Sequence, residues 1–296
     1  MGAALVTGAT GFLGRHLAAR LLDGGRDVIL LHRRNSAASP VLAELRARGA
    51  RVALFEDFSE IGGLVDRAVP VQAFHLATRY QRDHASADIG GVVDANITYG
   101  MHVLESLLGR DCAVVSTMSY FQFRHGEPES LSLYSATKQA FLDISRYYRD
   151  IRSLDVRDVV IYDTYGPSDT RDKIIPRLLD VAAGGGQITM GTSAQPLNLL
   201  YVGDVVEGLI AASVPGVAGT LCLSAPQLAT LGDVVGVIEE VSGVTLDKSF
   251  NDLQPVNSLV HESGDWPLPP GWVPRTTLQV GLEQCWAWKC RSLQVP

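Results

Sequence analysis

The sequence predicts an α/β fold: a doubly wound, mostly parallel sheet with helices on both faces and a smaller, partly interleaved C-terminal lobe. Three observations predict it. Short apolar strand candidates alternate with amphipathic helical stretches. A glycine-rich turn joins the first strand to the first helix. After about Gly166 the alternation loosens and proline and glycine cluster.

The elements follow in order. AALVTGA reads as a buried first strand, and FLGRHLAARLLDGG as an amphipathic helix that ends on glycine. DVILLHR is a second strand and SPVLAELRARG a second helix. RVALFEDF, VQAFHLAT, CAVVSTM and VRDVVIYDTYG supply further strands. GVVDANITYGMHVLESLLG and the stretch from Ser135 to about Ile151 supply helices between them. Pro215–Gly219, Pro226 and WPLPPGWVP at 266–274 mark the looser part. The expected division is a nucleotide-binding domain over 1–166 and a substrate lobe over 167–296, with about 196–212 returning to the first domain.

Composition narrows the class. The chain has 296 residues, 46% hydrophobic and 19% charged, enough for one large domain or two modest ones. No apolar run reaches the roughly 20 residues a membrane span needs. No basic region precedes the N-terminal apolar run, so it reads as a strand and not a signal peptide. Cys112, Cys222, Cys285 and Cys290 are scattered without metal-site spacing, so no metal is expected and a reducing cytoplasmic setting fits. The net charge of −7 gives no electrostatic reason to bind nucleic acid.

The first turn reads TGATGFLG, with Gly8, Gly11 and Gly14. Gly8 permits a tight turn, Gly11 a close backbone approach to a pyrophosphate, and Gly14 close packing of helix on sheet. The helix N-terminus then faces the phosphates. This is the pattern of a Rossmann-type nucleotide site; a glycine-rich turn that holds no ligand is the alternative. The second strand ends LLHRRNS, where an acidic residue would normally meet the ribose of NAD. His32, Arg33 and Arg34 stand there instead. A guanidinium can clamp a 2′-phosphate, so Arg33 and Arg34, Arg33 ahead, argue for NADP(H) as cofactor; one or both facing solvent is the alternative.

The segment YSATKQAF places Tyr134 and Lys138 four residues apart, on one face of a helix. A nearby ammonium favours the phenolate, so the pair can work as a proton donor and its electrostatic tuner. A chance meeting of the two types on a helix is the alternative.

Taken together, the motifs resemble the extended short-chain dehydrogenase/reductase family of epimerases, dehydratases and 4-ketoreductases. The pieces stand in the family's order: TGATGFLG at 7–14, FEDF with Asp57, HLAT at 75–78, Asn96, VVSTMSYF at 114–121, YSATK at 134–138, YGP at 165–167 and LLYVGD at 199–204. The C-terminal GLEQCWAWKC resembles the family's closing helix. The resemblance implies that Tyr134 is the general acid/base, Lys138 binds the nicotinamide ribose, and Thr117 holds the substrate oxygen, with Ser116 and Ser119 as other candidates. It implies that Asp57 meets the adenine amino group, Ala77 lines the pyrophosphate edge, and His75 packs beneath the cofactor. Thr10, Phe12, Leu13, Phe58, Leu76, Thr78, Asn96, Tyr162 and Thr164 complete the implied cofactor contacts. Arg79, Ser119, Tyr165, Arg171, Lys173, Arg177 and Arg275 are substrate candidates beside Thr117. A solvated charge is the alternative for Arg171, Lys173, Arg177 and Arg275.

Departures refine the expectation. Dehydratases of this kind carry an Asp-Glu pair after the threonine, and this chain has Met118 and Ser119. No group there can protonate a departing hydroxyl. Phe121 and Gln122 replace the usual tyrosine-glycine, and Leu197 stands where relatives have a phosphate-binding arginine. The short loop to Tyr134 and the KQAF that follows it look closest to the CDP-abequose-synthase type of 4-ketoreductase. The resemblance therefore implies NADPH-dependent reduction of a 4-keto-6-deoxy nucleotide sugar. A nucleotide-sugar epimerase and a non-catalytic cofactor sensor are the alternatives. A homodimer is expected through the helices holding Asn96 and Tyr134, with Phe141, Ile144, Tyr148 and Ile151 as an apolar stripe.

Overall fold

A computed structural model describes residues 2–81, 83–124, 127–214, 216–253, 255 and 266–293. The chain divides into two compact units. The first takes 1–161, 206–222 and 264–272, and the second takes 162–205, 223–263 and 273–296.

The first unit holds a seven-stranded sheet. Its strands are β1 (Ala3–Thr7), β2 (Val28–Arg33), β3 (Arg51–Phe55), β4 (Pro70–His75), β5 (Ala113–Ser119), β6 (Val156–Ile161) and β7 (Gly219–Leu223). Their order is β7-β6-β5-β4-β1-β2-β3, and every pair from β3 across to β6 is parallel. The order reverses beside β1, which is where such sheets bind ligands. Every residue of β1, β5 and β6 is buried, as expected for strands covered on both faces.

The connecting helices are α1 (Phe12–Asp23), α2 (Pro40–Ala47), α3 (Ile61–Ala68), α4 and α5 (Leu133–Asp150). α4 is built from Ile89–Val93, a π-helical turn Asp94–Thr98 and Tyr99–Ser106. α5 starts at Ser132, whose side chain accepts from the Ser135 amide, a reciprocal cap in the sequence SLYS. Its Phe141 and Tyr148 are buried, whereas Ile151 beyond its end is exposed. Half of the expected apolar stripe thus covers its own unit. No described helix is long and apolar enough to cross a membrane.

The second unit packs α6 (Ile174–Gly184), α7 (Leu231–Ser242) and α8 (Leu278–Leu293) around Leu178, Val234, Ile238 and Leu282. Tyr165 belongs to this core. A Cβ at Gly281 would strike the Tyr165 ring, so glycine lets α8 approach it.

Candidate active site

The glycine turn has the shape its sequence demands. Gly8 has φ +71°, and a Cβ there would lie 2.7 Å from the Ala77 amide nitrogen. A Cβ at Gly14 would overlap the Gly8 carbonyl. Gly11 is looser, with the Gly8 carbonyl oxygen 3.2 Å from an added Cβ. Gly11 is the N-cap of α1 and has no side-chain cap. The turn TGATGF therefore presents backbone amides at Thr10, Phe12 and Leu13, a cradle for an anion.

Two histidines fix this turn from below. His32 Nε2 accepts from the Ala9 amide at 3.2 Å. Burial lowers its pKa to about 4, so it is a neutral acceptor. Thr7 Oγ1 accepts from the Leu76 and Ala77 amides at 3.2 and 3.1 Å. Its single proton then points to His75 Nδ1, 3.0 Å away. His75 is fully buried and its pKa falls to about 3, by desolvation and then by the Lys138 charge. His75 thus packs inside the fold and ties the end of β4 to β1. The role of His32 was not foreseen, because its partner lies in another loop.

Asn96 joins the next layer. Its Oδ1 accepts from Thr78 Oγ1 at 3.0 Å and from the Arg79 amide at 2.7 Å. Its Nδ2 donates to Thr137 Oγ1 at 2.9 Å, and Thr137 donates to the Tyr134 carbonyl at 2.8 Å. The π-helical turn of α4 supplies this residue; such turns recur at functional sites. The post-β4 loop is thereby fixed to the first turn of α5.

On α5, Tyr134 and Lys138 are both buried and stand one turn apart. The Lys138 ammonium donates to the Thr117 carbonyl at 2.5 Å. Burial lowers its pKa to about 8, and the Asp158 charge opposes that shift. Thr117 Oγ1 points toward the His75 carbonyl at 3.4 Å, a long contact that a better acceptor can replace. Ser119 is occupied: its hydroxyl accepts from the Phe121 amide at 3.3 Å. Tyr80 meets the Tyr134 ring edge to face at 5.0 Å. Arg79 pairs with Asp88 at 2.8 Å.

Asp57 caps the turn after β3. Its Oδ1 accepts from the Ser59 amide and hydroxyl at 2.8 and 2.5 Å, and these bonds hold its pKa below the usual carboxylate value. Phe58 lies under the Arg33 guanidinium, 4.6 Å from the ring centre. Arg33 faces Asp94 at 3.9 Å, and Arg34 pairs with Glu56 at 2.6 Å.

The remaining candidates belong to the second unit. Tyr162 is buried. Arg171 holds Asp169 at 2.7 Å and donates to the Thr164 carbonyl at 2.7 Å. Lys173 pairs with Asp163 at 2.9 Å. Arg177 is exposed near Asp172. The Arg275 amide donates to Asp204 at 3.1 Å. The structure thus brings the glycine turn, Ala77, Asn96, Thr117, Tyr134 and Lys138 together in one unit.

A Rossmann-type α/β fold with a tyrosine and lysine one turn apart on the helix after β5 defines a class of oxidoreductase. The model of the NAD dependent epimerase/dehydratase family matches residues 4–219, and the chain belongs to that family. Among curated proteins it is similar to CDP-abequose synthase of Salmonella typhimurium, 26% identical over 213 residues, covering 70% of this chain and 68% of that one. Among solved structures it is similar to UDP-glucose 4-epimerase from Thermotoga maritima with UDP-glucose: TM-score 0.83, 18% identity, 99% of this chain and 100% of that one. It is also similar to UDP-glucuronic acid 4-epimerase from Bacillus cereus with UDP-glucuronic acid and NAD: TM-score 0.81, 20% identity, 98% and 99% covered.

One expectation is corrected. The arginines after β2 argued for NADP(H), yet the similar solved structures of Bacillus cereus UDP-glucuronic acid 4-epimerase and of MoeE5 carry NAD. The physical reason lies at the same strand end. Glu56 and Asp94 stand beside Arg34 and Arg33 and offset the positive charge that a 2′-phosphate would need.

Proposed function

We propose that this chain is an NAD-dependent nucleotide-sugar epimerase. The reading is supported by one arrangement above others. Tyr134 and Lys138 stand one turn apart on α5, with Lys138 on the Thr117 carbonyl, and Asn96 ties that helix to the loop beside the glycine turn. The residues fit NAD: Gly8 and Gly14 let the turn and α1 close on the neighbouring backbone, and Gly11, without a side chain at the α1 N-terminus, leaves a close backbone approach for a pyrophosphate.

NAD held on the glycine turn and by Lys138 would supply a reversible hydride acceptor for the sugar carbon. Tyr134 takes the proton of the sugar hydroxyl as the carbon is oxidised, and gives it back on reduction. Thr117 holds the reacting oxygen. Lys138 stabilises the deprotonated tyrosine by its charge and holds the cofactor ribose. One hydride and one proton leave and return, so no net oxidation occurs. Inversion requires that the ketone present its other face before the hydride returns.

The test is to offer UDP-glucose, UDP-glucuronic acid and a 4-keto-6-deoxy nucleotide sugar with NAD or NADH. Inversion at one sugar carbon without net change in NADH supports the epimerase. Net NADH consumption with the keto sugar supports a second reading, 4-ketoreduction, which the similarity to CDP-abequose synthase favours. Turnover of none of these leaves the cofactor-sensor alternative.

A further inference from the structure

Two buried charges of opposite sign lie on the α5 side of the sheet, Lys138 on the Thr117 carbonyl and Asp158 on Arg149, and the chemistry above uses only one. Lys138 is 2% exposed and Asp158 is 0% exposed. Asp158 is the one carboxylate among the described residues of the first unit that is buried. It sits in the middle of β6, paired in register with Ser116 of β5. Paired residues of parallel strands share a face, so Ser116 and Asp158 look the same way. Arg149 of α5 reaches Asp158 Oδ2 at 3.0 Å, so that way is toward α5. Lys138 and Ser145 are seven residues apart on α5, two turns along the same buried face. Thr117, the next residue after Ser116, offers its carbonyl to Lys138.

Three buried polar atoms lie along this face without a hydrogen-bond partner: Asp158 Oδ1, Ser116 Oγ and Ser145 Oγ. Ser145 lies near enough to lower the Asp158 pKa, but outside hydrogen-bond geometry. Orphaned buried groups of this kind are rare and ask for a reason. An unpaired ammonium in the same interior would be costly and would lose its proton.

We infer that Asp158 is a positioning residue for the reaction: its buried carboxylate is the counter-charge that keeps Lys138 protonated, with the Ser116 and Ser145 hydroxyls solvating the space between. This rests on the proposed role of Lys138 in holding cofactor. Burial pulls the Lys138 pKa down to about 8 and Asp158 acts against it. The same burial raises the Asp158 pKa to about 6, and Ser145, Arg149 and Arg146 oppose that. The other titratable groups on α5 are Tyr134, Tyr148, which bonds Glu105, and the exposed Asp143, Tyr147 and Asp150; β4 carries His75, which feels the Lys138 charge, and β6 carries Arg157. Arg157 is adjacent in the strand and points to the opposite face, where it pairs with Asp155.

The experiment is NADH affinity against pH, read by nucleotide fluorescence, for the parent, Asp158→Asn and Arg149→Gln. Both variants break the same salt bridge, and only the first removes the buried anion. Asp158→Asn should move the alkaline loss of affinity toward acid by about one pH unit or more. Arg149→Gln should not move it toward acid, because the buried carboxylate remains in place. A purely structural tie would lower stability in both variants and move neither profile. An unmoved limb in Asp158→Asn, or equal movement in both, overturns the inference. A parent that binds no NADH at any pH contradicts the proposed function instead. The inference is then read without cofactor, from the NMR titration of the Lys138 ε-carbon. That titration also serves if Asp158→Asn does not fold. The lysines are Lys138, Lys173, Lys248 and Lys289, so the resonance is assignable by single Lys→Arg replacement of the other three. A charged Lys138 at pH 7 is the expected result, and a neutral one overturns the inference.

Discussion

Gly8→Ala tests the geometry of the nucleotide turn. Gly8 stands at φ +71°, a region that costs a residue with a Cβ about 1–2 kcal/mol. The added methyl would also sit 2.7 Å from the Ala77 nitrogen and 2.8 Å from the Leu76 carbonyl carbon. Both are backbone atoms, held by their amide bonds to Thr7, and neither can step aside. Overpacking of this kind costs about 1–3 kcal/mol more. The sum is roughly 2–5 kcal/mol of stability. Gly11→Ala is the internal comparison, since its methyl meets a single atom at 3.2 Å and its φ is −79°. It should cost less than about 1 kcal/mol in stability. Urea unfolding of both variants measures the difference, and NADH titration reports the site. Equal stability of the two variants would refute the steric argument.

Three further predictions follow from single contacts. Val69 caps α3 at φ 45°, exposed and β-branched, so Val69→Gly should stabilise the protein by about 1 kcal/mol, read as a higher urea midpoint. His32 and His75 have folded pKa values of about 4 and 3, below the ordinary 6.5. The unfolded chain therefore binds more protons below pH 6.5, and each histidine removes about 2 kcal/mol between pH 6.5 and 5. His32→Gln, whose side-chain oxygen can still accept from Ala9, should halve the acid sensitivity of the urea midpoint; an unchanged slope would contradict a buried neutral His32. Asn96→Ala strands the Arg79 amide and the Thr78 hydroxyl and cuts the tie to Thr137, and should weaken NADH binding about tenfold while the unit stays folded; unaltered affinity would show that the loop is held elsewhere.

The fold was legible because its signals are local. Strand and helix periods, the glycines of TGATGFLG and the four-residue spacing of YSATK all lie within one turn or one strand of each other. Contacts between distant segments were not legible. The sequence shows Arg33 and Arg34 after β2, but not that Glu56 and Asp94 come up beside them, so the charge read as unclaimed. It shows Asn96 on a helix, but not the π-helical turn that places it against Thr137. Asp158 sits in an apolar strand and carries no motif; only the register with Ser116 and the reach of Arg149 give it a place.

The central claim is that Tyr134 moves the proton. Tyr134→Phe keeps the ring and its contact with Tyr80 while deleting the hydroxyl. The direct measurement is single-turnover formation of NADH by the NAD-loaded variant with the nucleotide sugar that the parent accepts. The account predicts unchanged NAD affinity and a rate lower by about 10²–10⁴, the range for losing a general acid or base. Hydride transfer by Tyr134→Phe at the parent rate would contradict it.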